Sequence, residues 1–342
     1  MLQVTLQIEV SPYRLVHVDS SPTLLVGAEQ SGSTLLRLML DSHPEVAFAE
    51  EFEYAVEPIS ASGNLPSMPA FRSFLETNRN FATSGFQIDE SLSFEDTVEG
   101  FLRSRQRQKD ALVTGATLHY GFAKALTLWP DAKFIHLIRD PRDVAPARMA
   151  EGLAGNVWHG LDGWLRAEDE WAAVEPLIDP RRVLTVRFAD LIRDYDSVLT
   201  SVCRFIGVEY TSQMLDYSTD TDYQEPSTSL AGDWRHSLST DQVRLIEAKV
   251  GDRLTRLGFE PSGFGQASVG ERQAMLLAWE DRAGRIAHRL QVFGVRLTVA
   301  DMVARGLSIQ SMQRSMRLRL NETEIAHRKK SWSETAKYRT SR

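Results

Sequence analysis

Residues 24–40 constrain the fold more than any other stretch of the chain. An apolar run that predicts a strand leads into a loop of small residues. The loop leads into an apolar run that predicts a helix beginning at Thr34. Hydroxyls and backbone N–H groups that converge at a helix N-terminus bind phosphate, because the helix dipole favours an anion there. The spacing Gly27-x-x-x-x-Gly32-x-Thr34 matches a Walker A loop, except that Ser33 stands where ATP hydrolysis needs lysine. This loop, called the cradle below, therefore predicts a phosphate ester as ligand but not ordinary ATP hydrolysis.

Strand and helix patterns alternate along most of the chain. Apolar runs predict strands at 23–26, 112–114, 133–138 and 182–187, and amphipathic runs predict helices at 94–109, 121–129, 158–177, 191–206 and 241–257. This order is typical of α/β proteins, so we expect a P-loop-like three-layer domain with a central parallel sheet. Residues 45–53 are predicted as a short extended segment or loop. Residues 60–100 are predicted as a largely irregular, substrate-facing insertion.

The sequence changes character after Pro261-Ser262-Gly263. Residues 271–339 contain no proline, are rich in arginine and follow a helical period, so we predict a domain over 1–262 and a basic helical extension over 263–342. Residues 262–342 hold 15 Lys and Arg against 7 Asp and Glu, a net charge of +8, whereas residues 1–261 hold 24 against 39, a net of −15. The acidic domain argues against nucleic-acid binding. The extension is either a solvated surface or docks on the acidic body, on a second subunit in a homo-oligomer, or on an anionic partner.

Cysteine usage and hydropathy bound the cellular setting. The single cysteine, Cys203, lies in an apolar helical pattern and has no partner for an internal disulfide, which favours a reducing, cytoplasmic compartment. No apolar run approaches the roughly 18–20 residues of a membrane span. Residues 1–10 alternate as in a strand and lack the basic start of a signal peptide. No spacing of His, Cys and carboxylates is typical of a metal site, so no metal is expected.

A second polar segment follows the strand predicted at 133–138. Arg139-Asp140-Pro141-Arg142-Asp143 stands at the carboxyl end of that strand, where ligands bind in open parallel sheets. If this strand neighbours the strand before the cradle, the cradle and a cluster of arginines share one site. Two anion-binding places suggest a donor with phosphate groups at two separate positions. This is the shape of 3′-phosphoadenosine 5′-phosphosulfate (PAPS).

These segments resemble the PAPS-dependent sulfotransferases, above all their bacterial branch and the tyrosylprotein sulfotransferases. The likeness covers roughly residues 20–260 and leaves the extension outside it. It is carried by Gln30-Ser31-Gly32-Ser33-Thr34-Leu35-Leu36-Arg37, Asp41-Ser42-His43-Pro44, residues 133–143, Asn156-Val157-Trp158, Val186-Arg187-Phe188-Ala189-Asp190-Leu191, Phe205-Ile206-Gly207-Val208, Trp234-Arg235 and Gly258-Phe259.

The resemblance implies how the donor is held. Ser31, Gly32, Ser33 and Thr34 are expected to bind the 5′-phosphosulfate, and Arg139 is expected to bind the 3′-phosphate. Both expectations place the nucleotide at the carboxyl edge of the predicted sheet, between the cradle and the arginine turn.

A general base is expected in the acidic segment after the cradle helix. Sulfuryl transfer to an alcohol needs a group that removes the hydroxyl proton as the sulfur–oxygen bond forms. The resemblance places this base at Glu51, with Glu50 as the substitute, and a solvated acidic loop is the alternative interpretation. His119 follows a predicted strand end and is a third candidate catalytic residue. His136 and His43 are predicted to be a core histidine and a helix cap.

Four positions depart from the family pattern. Gln30, counted here with the donor-binding residues, stands where family members carry Arg or Lys, and Thr114 or a neighbour stands where Lys is common. Ala147 replaces a serine that binds the 3′-phosphate, and Phe188 replaces a tyrosine. Losing one contact that stabilises developing charge costs about 2.7–4 kcal/mol. The departures therefore call for compensation elsewhere in the site.

The sequence predicts a sulfotransferase that moves a sulfuryl group from PAPS to a hydroxyl, or an amine, of a small molecule, lipid or sugar. Compensation for the missing cations is expected from His119, Lys124, Arg142 or Arg148, and Arg148 is counted with the nucleotide-binding residues. Two alternatives stay open: the same fold with a changed donor or reaction, and a non-catalytic binding protein that acts through the basic extension.

Overall fold

The computed structural model describes residues 21–89, 91–220, 231–307 and 310–340. The strand predicted at 1–10 lies outside these residues. Five parallel strands form one sheet with the order β2-β3-β1-β4-β5. They are β1 (Thr23–Val26), β2 (Val46–Glu51), β3 (Val113–Leu118), β4 (Lys133–Ile138) and β5 (Val183–Arg187).

Helices follow the strands along the chain. They are α1 (Ser33–Ser42), α2 (Glu53–Val56), α3 (Met68–Leu75), α4 (Arg79–Ser84), α5 (Phe94–Lys109), α6 (Phe122–Leu128), α7 (Pro141–Ala150), α8 (Val157–Gly160), α9 (Asp162–Val174), α10 (Phe188–Arg193), α11 (Tyr195–Ile206), α12 (Tyr217–Asp220), α13 (Trp234–Ser237), α14 (Thr240–Val250), α15 (Arg253–Arg256), α16 (Glu271–Gly306) and α17 (Gln310–Thr340). Short 3₁₀ turns lie at Glu175–Leu177, Pro180–Arg182 and Ser212–Leu215.

Two hydrophobic cores lie on the two faces of the sheet. Leu24 and Phe134 enter one core with side chains of α5, α6, α9 and α14. Leu25 and Ile135 enter the other with side chains of α1, α10 and α11. Successive residues of a strand point to opposite faces, so a strand covered on both sides is apolar throughout. The expected three-layer α/β domain with a central parallel sheet is confirmed.

Several predicted boundaries differ from the observed ones. The strand predicted at 112–114 extends to Leu118, because Gly115 and the residues after it pair with β1. Gly115 has a packing role there, since a Cβ at this position would lie 2.4 Å from the Thr23 carbonyl oxygen. Residues 45–53, predicted as an extended segment or loop, contain the edge strand β2. The helices predicted at 191–206 and 241–257 are each divided into two helices, and the insertion at 60–100 contains α3 and α4.

The C-terminal helices are attached to the α/β body. α16 bends at Gly294, which has the non-helical φ of 72°. Its first half docks on the loop before α8, where Asp281 accepts a hydrogen bond of 2.8 Å from the Gly155 N–H. α17 reaches the loop before α4, where Asn321 donates to the Thr77 carbonyl at 3.0 Å. No helix among the described residues is long and apolar enough to span a bilayer. The domain boundary at 262 stays a prediction.

Candidate active site

The cradle joins β1 to α1 at the carboxyl edge of the sheet. Gln30 and Gly32 have left-handed backbone conformations, with φ of 67° and 92°. No side chain caps α1, and its first turn holds no acidic residue. The Ser31 hydroxyl is buried without a hydrogen-bond partner among the described residues, and Thr34 is half-buried in the first turn. The unpaired N–H groups and this hydroxyl therefore fit an anion.

β3 carries His119 to the side of the cradle, because β3 lies between β2 and β1. His119 Nε2 is 2.9 Å from Ser33 Oγ. On the other side of the ring, Glu53 Oε1 is 2.8 Å from His119 Nδ1 and 2.8 Å from the His119 backbone nitrogen. All three side chains are buried. Glu53 was not among the residues predicted for the site. The signal that could have found it is a carboxylate two residues beyond Glu51 at a neighbouring strand end.

Carboxylates decide the charge of His119. Burial alone lowers the pKa of this imidazole, because burial disfavours the charged form. The hydrogen bond that the ring donates to Glu53 and the negative charges of Glu53, Glu51 and Glu29 outweigh burial, and the pKa of His119 is raised above its ordinary value. The ring is therefore a candidate positive charge in contact with the cradle.

A bulge at the end of β2 separates the two candidate bases. The register shifts between residues 49 and 51, where Glu51 pairs with Thr117 of β3 and Glu50 is the extra residue. Glu50 is exposed and lies 3.7 Å from Arg37 in an ion pair. Glu51 is half-buried, and its charge contributes to the raised pKa of His119. The structure therefore brings Glu51, rather than Glu50, together with His119.

Arg139 extends from the end of β4 back to the cradle. Its Nη1 donates a hydrogen bond of 3.0 Å to the Gln30 carbonyl. Its guanidinium carbon lies 4.5 Å from the centre of the Phe188 ring, and the same ring fills the space beside Gly32. Phe188 therefore braces both the cradle and the arginine that follows β4.

Arg148 lies in the last turn of α7 and forms an ion pair with Glu29 of the cradle. Burial raises the pKa of Glu29, but the nearby positive charges, Arg148 foremost among them, outweigh this effect and leave it lowered. A Cβ at Gly163 would lie 2.5 Å from the Arg148 guanidinium carbon, so α9 packs closely against it. The structure thus brings Arg148 to the cradle already paired with a carboxylate.

An arginine-rich cavity of about 310 Å³ opens beside Arg139. Further arginines in its wall are Arg142, Arg187, Arg193 and Arg235. Arg142 is held by Asp140 at 2.7 Å and by Glu247 at 2.8 Å. The Arg235 guanidinium stacks on Trp234, with its carbon 4.4 Å from the ring centre. The wall also contains the Phe188 and Phe259 rings and the carboxylates of Asp140, Asp143 and Glu260. The cavity therefore combines an excess of arginines with aromatic rings, which suits a phosphorylated nucleoside.

The side chains of other predicted residues pack away from the cradle. His136 is buried in β4, 3.3 Å from Glu168 and stacked on Trp171. His43 ends α1, with Nε2 2.7 Å from the Glu209 carbonyl oxygen. Thr114 pairs with residue 47 in the first half of β3, far along the strand from its carboxyl end. Among the described residues, no group of three His, Cys, Asp or Glu side chains could hold a metal ion.

The chain is similar in sequence to known proteins. The model of the Sulfotransferase family matches residues 22–212, more than half of the chain. Over 176 residues the chain is 26% identical to omega-hydroxy-beta-dihydromenaquinone-9 sulfotransferase Stf3 of Mycobacterium tuberculosis, a match that covers 45% of this chain and 42% of that protein. The chain therefore matches less than half the length of this relative. Carbohydrate sulfotransferase 5 of Mus musculus is 22% identical, with 75% of this chain and 84% of that protein covered.

Solved structures give weaker likenesses. The sulfotransferase domain from the curacin biosynthetic pathway has a TM-score of 0.47 and 17% identity, with 70% of this chain and 98% of that chain covered. Mouse sulfotransferase SULT7A1 complexed with PAP has a TM-score of 0.43 and 12% identity, with 76% and 88% covered. Assignment of the fold rests on the strand order and the family match.

Proposed function

Because this chain belongs to the sulfotransferase family, we propose that it transfers a sulfuryl group from PAPS to a hydroxyl group of an organic acceptor. One observation carries the proposal: two sites that fit anions lie at the same sheet edge. The first is the uncapped start of α1, and the second is the arginine-lined cavity beside Arg139. The first suits the 5′-phosphosulfate and the second suits the 3′-phosphate.

The cradle binds the anionic end of the donor through backbone and hydroxyl groups. The first-turn N–H groups of α1 donate to it, together with the hydroxyls of Ser31, Ser33 and Thr34. Arg139 and Arg235 bind the second phosphate from the cavity wall. PAPS supplies the activated sulfuryl group, and the protein supplies position and charge.

His119 and Glu51 have different catalytic roles. Glu53 favours the positively charged form of His119, and the imidazolium stabilises the negative charge that develops beside Ser33 as the bond from sulfur to the leaving phosphate breaks. Glu51 removes the proton from the acceptor hydroxyl as its oxygen bonds to sulfur. His119 thereby replaces the cation that is missing at Gln30.

The relatives point to the chemical class of the acceptor. Their names specify an omega-hydroxy menaquinone derivative and a carbohydrate, both of which carry hydroxyl groups. We assign to this chain a hydroxyl of a small molecule, lipid or sugar, with an amine as the less favoured nucleophile.

Calorimetry with adenosine 3′,5′-bisphosphate tests the donor site. We expect saturable binding, with adenosine 5′-monophosphate binding at least about tenfold more weakly because it lacks the group that the arginines hold. Transfer of labelled sulfate from PAPS to a panel of alcohols then tests the reaction. Absence of bisphosphate binding to folded protein would contradict the proposal at its first step.

Gln30 favours a second candidate, an enzyme of the same fold with a different donor. Its side chain is neutral, and its backbone carbonyl accepts a hydrogen bond from Arg139. If the wild-type protein binds the bisphosphate but transfers no sulfate, while Gln30→Arg gains transfer, the native site uses another donor. If Gln30→Arg and wild type both transfer sulfate, the first proposal stands.

A further inference from the structure

The first half of α16 exposes an apolar stripe. Met275, Trp279 and Ile286 are spaced by four and seven residues, so they share one side of the helix. They are 73%, 67% and 41% exposed, respectively. Large side chains of this kind are normally buried, and a contiguous exposed set marks an interaction surface.

The opposite side of the same helix contacts the body. Leu277 and Asp281 are buried, and each lies two residues from Trp279, about 200° around the helix at about 100° per residue. The Leu277 carbonyl accepts 2.7 Å from the Asn156 side chain, and Asp281 accepts from the Gly155 N–H. The stripe therefore faces away from the α/β body, where the described residues do not cover it.

The second half of α16 also has an exposed apolar side and a buried side. After the bend at Gly294, Val295, Val299 and Met302 are exposed at a spacing of four and three residues. Thr298 and Asp301 lie between these residues in sequence and are buried against the first half of α16. Thr298 donates a hydrogen bond of 3.2 Å to the Arg289 carbonyl, and the Asp301 carboxylate accepts one of 2.6 Å from the Arg289 side chain. Together, the six exposed apolar residues of the two stripes are called the α16 face.

Arginines border the α16 face. Arg272, Arg282 and Arg296 are exposed and make no ion pair among the described residues. α16 itself, over residues 271–306, holds six arginines against four Asp and Glu, a net charge of +2, whereas residues 1–261 carry a net charge of −15. An apolar stripe with tryptophan and bordering arginines is typical of helices that lie in a membrane interface.

We propose that the α16 face binds the surface of an anionic lipid membrane. The arginines are attracted to lipid phosphate, the apolar side chains enter the boundary between headgroups and acyl chains, and repulsion of the acidic body orients the molecule with α16 towards the lipid. A second copy of the chain is a poorer occupant, because a two-fold contact would bring the exposed arginines of two α16 faces together. The lipid surface complements both the apolar area and the charge.

Co-sedimentation of the full chain with lipid vesicles tests the proposal. We expect binding to vesicles of phosphatidylglycerol, weak binding to vesicles of phosphatidylcholine, and release as salt is raised. Trp279→Glu removes apolar area and adds a negative charge, so it should weaken binding to phosphatidylglycerol by about tenfold or more. Arg282→Ser should weaken it by about fivefold, equivalent to about 1 kcal/mol per basic residue near the surface.

Leu177→Glu is the matched control. Leu177 is 71% exposed but lies in the 3₁₀ turn after α9, outside the α16 face. This variant should bind phosphatidylglycerol like wild type. Equal losses in Leu177→Glu and Trp279→Glu would contradict the proposal, as would failure of wild type to bind phosphatidylglycerol. A dimer in solution that Trp279→Glu dissociates would assign the α16 face to a second copy instead. Binding of adenosine 3′,5′-bisphosphate, measured in parallel, reports on the donor site independently.

Discussion

The starts of α1 and α7 lie at the same sheet edge, because β1 and β4 are neighbouring parallel strands, yet they are built differently. α1 has Gly32 as its N-cap, no capping side chain and no acid in its first turn. α7 is capped by Asp140, which accepts from the Arg142 N–H, and begins at Pro141, with Asp143 in its first turn. The chain therefore satisfies the start of α7 with its own groups and leaves the start of α1 without a cap, as the proposed anion site requires.

The two helix starts differ in what their polar groups do. The Asp143 carboxylate accepts hydrogen bonds of 2.7 Å from the Gly232 N–H and 2.9 Å from the Trp234 N–H, so the start of α7 secures the loop that lines the cavity. At α1 the polar groups are oriented by Gly32, by the Phe188 ring and by His119. Carboxylates at α7 stabilise structure, whereas the same charge at α1 would repel an anion.

Gly32→Ala should have the largest effect. The new Cβ would lie 2.2 Å from the Phe188 ring, at a φ of 92° that side chains rarely adopt. Strain of about 1–3 kcal/mol and displacement of the donor groups should lower kcat/KM by about 1000-fold and weaken bisphosphate binding in calorimetry. Gly63→Ala is the control, since Gly63 has a φ of 83° with nothing within 4 Å. It should lose stability only. Equal binding losses in both variants would mean that strain, not the cradle, is responsible.

His119→Asn should lower kcat by about 100-fold, while binding of the bisphosphate falls much less, because the lost group stabilises developing charge. Steady-state kinetics and calorimetry on the same preparation separate the two effects. The control is His136→Asn, which also removes a buried imidazole beside a glutamate, but one that packs on Glu168 and Trp171 of α9 instead of on the cradle. His136→Asn should lower the midpoint temperature of thermal unfolding while changing kcat little. A kcat of His119→Asn equal to that of wild type would contradict the proposal that His119 supplies the positive charge at the cradle.

The strands, the cradle and the arginine turn could be predicted because they are local patterns: apolar runs, small residues at set spacing, and polar residues at a strand end. The pairing of Glu53 with His119 could not. It depends on β2 lying beside β3 and on the bulge at Glu50. One inserted residue reverses which side chains face each side of a strand, so alternation alone does not decide between Glu50 and Glu51.

For the C-terminal extension, the sequence predicts the helices but not where they contact the α/β body. Its helical period and basic charge are readable from residues 271–339, but its docking is not. α16 meets the body through close approach of Gly284 to Gly155 and through the Asp281 carboxylate. Contacts between residues so far apart in sequence leave no local pattern.

Asp140→Ala should have a smaller effect, and on stability rather than binding. It removes the cap of α7 and one partner of Arg142, so the free energy of unfolding should fall by about 1–2 kcal/mol in denaturant titration. Bisphosphate affinity should stay within about threefold, because the donor groups of α1 are untouched and Arg139 and Arg235, which are proposed to hold the second phosphate, are both retained. Asp140→Asn keeps an oxygen acceptor for the Arg142 N–H and should lose less. A binding loss as large as that of Gly32→Ala would abolish the distinction between the two helix starts.

The smallest effect is expected in the pH profile, and it tests which charge state of His119 is active. Glu53 raises the pKa of His119, so the imidazolium persists above the ordinary pKa of about 6.5, and activity should decline as pH rises through the raised value. Glu53→Gln removes that negative charge, lowers the pKa of His119, and should move this alkaline decline to lower pH. Stability follows the same sign: the contribution of the pair is complete below the unfolded pKa and is lost as pH rises through the folded one. Glu50→Gln is the control, because Glu50 pairs with Arg37 and should leave the decline in place. If activity instead rises through the same pH range, neutral His119 is the active form, and it acts as a base at the cradle.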